Sequence, residues 1–256
     1  MANSMDGQNT ILSVVGPLAT SIPSLCLVTK AILSKNPWLY DPMTHEIPWR
    51  TEHEDEIAEL GKKKLCFGVL RADGQVNPTP PVKRAIEEVV QKLKAAGHEV
   101  IDWTPPSHKF LIEEGFKSWI FDGGRDIRNA FGLSGEAMSD QVKLFGDLQK
   151  EFTATEIAAT NVRLRGLKEE YLRYWNSTQE KTSTGRPVDA FISPLAPFPA
   201  ARPGMYEYYG YSTFVNVLDY TSVVVPVTNV DKSVDKVDEG YNPISDTDKK
   251  VFESCK

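Results

Sequence analysis

Apolar residues recur along this chain with two distinct periods. Between positions 82 and 93 they fall at Val82, Ala85, Ile86, Val89, Val90 and Leu93, a spacing that paints one stripe down a helix. Gly97 stands where such a helix ends. On one side lies Leu65–Leu70, a continuous apolar run suited to a strand covered on both faces, and on the other a second strand over His98–Trp103. A parallel pair needs a crossover of about this length, so 65–103 is predicted as strand, helix, strand, with Ile86, Val89, Val90 and Leu93 against the sheet.

The remaining elements follow from local signals. Val14-Val15-Gly16-Pro17 predicts a strand or loop entering a turn, and Ser21 offers a cap for a helix carrying Leu25, Val28 and Ile32. Asn36-Pro37 stops that helix, because the residue before proline is pushed out of the α region. Three prolines with Trp38, Tyr40 and Trp49 make 37–55 an irregular loop pinned by aromatics, and Lys62-Lys63-Lys64 a solvated strand entry. A helix is expected over 107–128, weakened by Gly115, Gly123 and Gly124 at about 1 kcal/mol each. Leu164, Leu167, Tyr171 and Tyr174 mark a long helix over 154–176, and Asp189–Ser193 a short strand halted by Pro194. A loop over 194–211, a helix at 213–218 and a strand at 223–227, placed at an edge or bend by Pro226, complete the pattern. Residues 231–256 are charged and without period, and are expected to be poorly ordered.

Composition narrows the classes. A chain of 256 residues that is 41% hydrophobic and 25% charged is an ordinary globular one, one domain or part of one. A formal net charge of -6 argues against a protein that works by neutralising phosphates, so no nucleic-acid partner is expected. Cys26, Cys66 and Cys255 are odd in number and far apart, which suits neither a disulfide framework nor a zinc site. With no basic and apolar leader and no apolar run of membrane-spanning length, a cytoplasmic location and no membrane partner are expected. The acceptor-like Asn176-Ser177-Thr178 is set aside with the secretory route.

Candidate chemistry is sparse. His45, His53, His98 and His108 lie near no carboxylate at a metal-ligand spacing, nor near a nucleophile elbow, and are expected in loops or at the surface. Asp122-Gly123-Gly124-Arg125 has the composition of an anion-binding turn but no strand before it, and is read as a weak spot in a helix. Asp73-Gly74 is a turn, and Cys66 a small buried hydrophobe. Residue spacing by itself supports an α/β domain without an active site.

Several segments, in order, resemble the amidase signature family, in particular its fungal acetamidase-like branch. They are Ser13–Ser21, Pro37–Pro42 with Pro48-Trp49, Phe67–Leu70 with Asp73-Gly74, Asp189–Pro194 with Pro197, and Asn216–Tyr220 before Val225–Thr228. The resemblance runs over about residues 3–230, and implies an α/β/α sandwich around a mixed sheet, here incomplete, with a partial domain over 1–230. It implies hydrolysis of a carboxylic amide to carboxylate and ammonia, with no metal or organic cofactor. In that family a serine nucleophile is activated by a neutral lysine through a second serine in a cis peptide, and a glycine-rich loop supplies the oxyanion donors. Those parts precede the Gly-Pro segment in the family, and no Gly-Gly-Ser-Ser-Gly-Gly type motif occurs in this sequence, so no catalytic residue is assigned. What carries over is Ser193-Pro194-Leu195-Ala196 as part of the substrate cleft and Gly16-Pro17 as a turn near the catalytic loop. A truncated amidase without activity of its own is expected, or alternatively a non-catalytic remnant that binds a ligand or partner. The oligomeric state is open. Excess apolar exposure is expected near Val14, Val15 and Val223–Val227, where strands would lack neighbours.

Overall fold

The computed structural model describes residues 7–148 and 150–254; Cys255 lies outside them. The chain forms two compact units, one from the residues up to Leu12 together with those from Leu65 onward, the other from Ser13–Lys64.

The larger unit is built on the predicted crossover. Strand β1 (Cys66–Val69) leads into helix α3 (Pro80–Ala95) and strand β2 (Glu99–Asp102), and the two strands pair in parallel with Phe67 opposite Val100. Strand β3 (Ala190–Ile192) pairs with the other side of β1, again in parallel, Phe67 opposite Ala190. The order is β2-β1-β3, so the sheet expected to be mixed is parallel throughout its described strands. Alternate side chains feed opposite faces. Val69, Val100 and Ile192 meet Ile86 and Val90 of α3 on one face, and Phe191 and Ile101 join a larger core on the other.

That second face is covered by helices α4 (His108–Ser118), α7 (Ala154–Ser177) and α8 (Gly210–Leu218), which completes an α/β/α layering. The 24-residue α7 starts at a capping box, in which Thr153 accepts from the Glu156 amide and the Glu156 carboxylate accepts from the Thr153 amide. Between α7 and the sheet, the indole of Trp103 lies flat against Phe191, with ring centroids 5.1 Å apart and planes 10° from parallel. Its Nε1 donates to the Tyr171 hydroxyl at 2.9 Å. Gly68 permits this approach, since a Cβ there would sit 2.5 Å from the indole. At the start of the chain, Gln8 folds back on the backbone of Thr10 and Ile11 through three hydrogen bonds and delivers Ile11, 3% exposed, to the same core.

Four expectations are corrected. The helix expected over 107–128 is broken into α4 and α5 (Arg125–Ser134). Gly123 and Gly124 adopt φ of 62° and 80°, and the Asp122 carboxylate accepts from the Gly124 and Asp126 amides, which caps the second helix instead of weakening the first. No strand forms at 223–227 among the described residues; the segment is extended and exposed, having no ladder partner. The tail expected to be poorly ordered contains α9 (Asp246–Ser254), with Val251 and Asp248 each 1% exposed. His108, expected at the surface, is 2% exposed. One further short helix, α6 (Asp140–Gly146), lies in a stretch left without an assignment.

The smaller unit contains α1 (Ile22–Leu33), capped by Ser21 as expected, and α2 (Thr51–Lys63). Its aromatic pin is Trp49, whose indole donates to Glu54 at 2.9 Å and lies beneath the Lys30 ammonium, 4.7 Å from the ring centroid. Lys30 also pairs with Glu54 at 3.0 Å, and these two bonds hold the Glu54 carboxyl below its usual range. No residue of α1 is buried, and Val14 and Val15 are 76% and 81% exposed, as expected for apolar positions without neighbours.

The contact between α4 and α8 gives a direct test. Gly115 is buried, and a Cβ there would come 2.4 Å from Cγ2 of Val217, a fully buried residue. Alanine in a helix interior is worth about 1 kcal/mol over glycine, whereas forcing a methyl into a closed contact costs about 1–3 kcal/mol. Gly115→Ala is therefore expected to lower the unfolding free energy in urea, and a gain in stability would contradict this packing.

Candidate functional site

The free edge of β3 opens onto a cleft of about 1120 Å³. Its floor is Asp189–Leu195, one wall is the Pro81, Val82, Ala85, Ile86 and Val89 side of α3, and the other is formed by Leu172, Trp175 and Asn176 of α7 with the chain from Asp219 to Val230. In open α/β sheets ligands bind beyond the carboxyl ends of strands, which is where Ser193, Pro194 and Leu195 stand. Three of the four residues carried over for substrate binding are thus together in the cleft. Ala196 packs instead against the cluster of Val76, Phe198 and Val251. Gly16 and Pro17 belong to the smaller unit, in an exposed extended stretch.

The loop carrying these residues is anchored at both ends. Thr79, at the start of α3, gives its amide and its hydroxyl to the Pro197 carbonyl at 2.7 and 2.9 Å. Asp189, at the entry to β3, accepts from the Cys66 amide at 2.8 Å and pairs with Arg186 at 3.1 Å.

The cleft chemistry is apolar with hydroxyls. Ser193, Tyr220, Thr221, Ser222 and Thr228 supply oxygens, Asp189 and Asp219 supply carboxylates, and the lining contains no lysine, arginine, histidine or cysteine among the described residues. Burial raises the Tyr220 hydroxyl above its usual range, so it stays protonated at neutral pH.

The far wall is clasped to α3 by Arg84. Its guanidinium forms a bidentate pair with Asp235 at 2.8 and 2.9 Å, and donates to Thr228 Oγ1 and the Asn229 carbonyl. These bonds push Arg84 further up and hold Asp235 down at about 2. Sequence reasoning missed this clasp, because Arg84 and Asp235 are 151 positions apart. It also missed Val82 and Val89 as wall residues. The available signal was the width of the α3 apolar stripe, broader than a single sheet contact requires.

His108 is buried in the core. It stacks on Phe214 at 3.9 Å and meets the Tyr171 hydroxyl through Nε2 at 3.2 Å. That hydroxyl also accepts from Trp103, and His108 Nδ1 has no partner among the described residues. Burial pushes His108 down to about 4 and is the largest cause raising Tyr171. Neither residue lines the cleft, so this pair serves the core.

A model of the Amidase family matches residues 2–246. The chain belongs to the amidase family. It is 39% identical over 255 residues to the acetamidase of Emericella nidulans, covering 99% of this chain and 46% of that protein. With the acetamidase of Aspergillus oryzae it shares 39% identity over 254 residues, 98% of this chain and 46% of that one. A solved structure of fatty acid amide hydrolase superposes with a TM-score of 0.79 at 27% identity, covering 99% of this chain and 44% of the other. The chain spans somewhat less than half the length of the relatives it matches, and within that span the amidase α/β/α fold is reproduced. Among the described residues no helix is long and apolar enough to cross a membrane.

Two outcomes test this arrangement. Arg84→Ala is expected to speed amide hydrogen exchange over 228–235 several-fold while leaving the exchange of β1 unchanged; equal exchange in both proteins would show that the clasp holds nothing. For His108, the folded value of about 4 lies below the unfolded value of about 6.5. The unfolded chain takes up a proton that the folded ring refuses, so stability present above pH 6.5 is lost as pH falls toward 4, by up to about 3 kcal/mol. Urea unfolding at pH 7 and 4.5 should show this loss in the parent, and His108→Phe should reduce it; the same slope in both would remove the assignment.

Proposed function

We propose that the chain supplies one wall of the substrate site of an amide hydrolase, which converts a carboxylic amide and water to carboxylate and ammonia, and that this portion alone does not turn over. The supporting observation is the composition of the cleft. Ser193 places a hydroxyl at the carboxyl end of β3 beside the apolar Pro194 and Leu195, which suits an uncharged amide with an apolar acyl group, yet no lysine, arginine or histidine faces it among the described residues. A serine hydroxyl without a base is a weak nucleophile at neutral pH. Loss of a single oxyanion donor costs on the order of a hundredfold or more in rate, and here nucleophile, base and donors must all come from residues outside this chain. The reading needs neither metal nor organic cofactor.

The test is ammonia release. The purified chain should release none above buffer from acetamide or hexanamide. A chimera in which it replaces the matching portion of the Emericella nidulans acetamidase should release ammonia, and Leu195→Lys in that chimera should raise KM for hexanamide about tenfold with a smaller change in kcat. Turnover by the chain alone that disappears with Ser193→Ala would overturn the reading, and an unchanged KM would take Leu195 out of the substrate site.

A further inference from the structure

We infer that the cleft selects an amide whose acyl group ends in an ammonium group, held by the Asp219 carboxylate and the rings of Trp175, Phe191 and Tyr220. The inference rests on the reading of the cleft as a substrate site and deepens it. The amide itself and the stem along Pro194 and Leu195 stay uncharged, and only the far end of the acyl group is specified.

The first observation is the balance of charge. The lining holds two carboxylates, Asp189 and Asp219, and no lysine, arginine or histidine among the described residues. Asp189 is matched by Arg186 and by the Cys66 amide. At the rim, the Arg84 guanidinium is matched by Asp235 and Glu88. The Asp219 carboxylate forms no hydrogen bond or ion pair among the described residues, so the cleft keeps one negative charge that nothing in the fold answers. Apolar walls around charge of a single sign concentrate its field, which draws in a cation and repels a second carboxylate.

The second observation is aromatic. Trp175, Phe191 and Tyr220 all line the cleft and are only partly buried. Trp175 meets Phe191 at 5.7 Å and Tyr220 at 5.5 Å, with planes 73° and 84° apart, and Phe191 meets Tyr220 at 6.4 Å and 57°. Three rings so steeply inclined turn their faces in different directions, and the face of an aromatic ring attracts an ammonium group. A carboxylate without a cation and a group of ring faces in one cleft are complementary to the same ligand chemistry.

The local backbone adds to this. Asp219 ends α8 with a φ of 60°, a position ordinarily filled by glycine or asparagine. The turn therefore gives no reason for a carboxylate there.

The test is a calorimetric titration of the purified chain with three amides of matched length: ω-aminohexanamide, hexanamide and adipamate. The Kd of ω-aminohexanamide is expected at least about fivefold below that of hexanamide, with adipamate the weakest. Asp219→Asn and Asp219→Gly both accept a left-handed backbone and should leave the fold intact. Either should bring the three within about twofold of one another, since no charge then remains to sort them. Glu136→Gln, at an exposed site outside the cleft, should keep the parent order. Trp175→Leu should narrow the gap between the cationic and the neutral amide, which a loss of hydrophobic contact alone would not do. Equal affinity for all three amides, a preference that survives Asp219→Asn, or no saturable binding of ω-aminohexanamide would overturn the inference. In the acetamidase chimera, ammonia release from hexanamide without any preference for ω-aminohexanamide keeps the hydrolase reading and sinks this one; Asp219-dependent binding without ammonia release does the reverse.

Discussion

The indole of Trp103 can lie across the sheet only where the strand beneath it has no side chain, and Gly68 provides that opening at the middle of β1. From this contact the positions of the other layers follow. Trp103 stacks on Phe191, which fixes β3 beside β1, and its ring nitrogen finds Tyr171 on α7, which fixes the long helix above both. A buried indole without an acceptor would cost on the order of 1–3 kcal/mol, so the hydroxyl of Tyr171 is needed as much as its ring. That hydroxyl in turn reaches His108. One glycine thus leads through a chain of aromatic and polar contacts to the packing of α4 and α8.

How far this was legible in the sequence depended on whether the deciding contact was local. The stripe on α3, the runs at β1 and β2, and the cap at Ser21 are short-range signals, and those elements stand where the pattern put them. Helix α2 escaped because its sequence is polar nearly all round. Its support is electrostatic, with Glu52 and Glu54 in the first turn and Lys62 and Lys63 in the last. Helix α9 was hidden inside a charged tail, although Ser245 caps the Asp248 amide and acidic residues open the first turn. The burial of His108 and the clasp of Arg84 on Asp235 depend on residues far apart in the chain, which no window of sequence contains.

The candidate cleft was signalled only by the family resemblance. Nothing in the spacing of Ser193, Pro194 and Leu195 marks a cleft; the end of a parallel strand does, and that is a property of the assembled sheet. The distribution of charge tells the same story. Arg84 and Asp235 lock the rim of the cleft, Asp189 is engaged by Arg186 and the β1 backbone, and the rest of the lining is mostly hydrocarbon and hydroxyls with the Asp219 carboxylate and the amides of Asn176 and Asn229.

Pro226 gives the valine segment an asymmetry. In an extended chain successive backbone groups point to opposite sides, and proline has no N–H to offer. The donors of Val223, Val225 and Val227 therefore form one complete edge, while the edge shared by Val224, Pro226 and Thr228 has a gap in its middle. A stretch of five residues with four valines would otherwise be a template for indiscriminate stacking. The single ring leaves it with one usable side, so no sheet can run on through this segment in both directions.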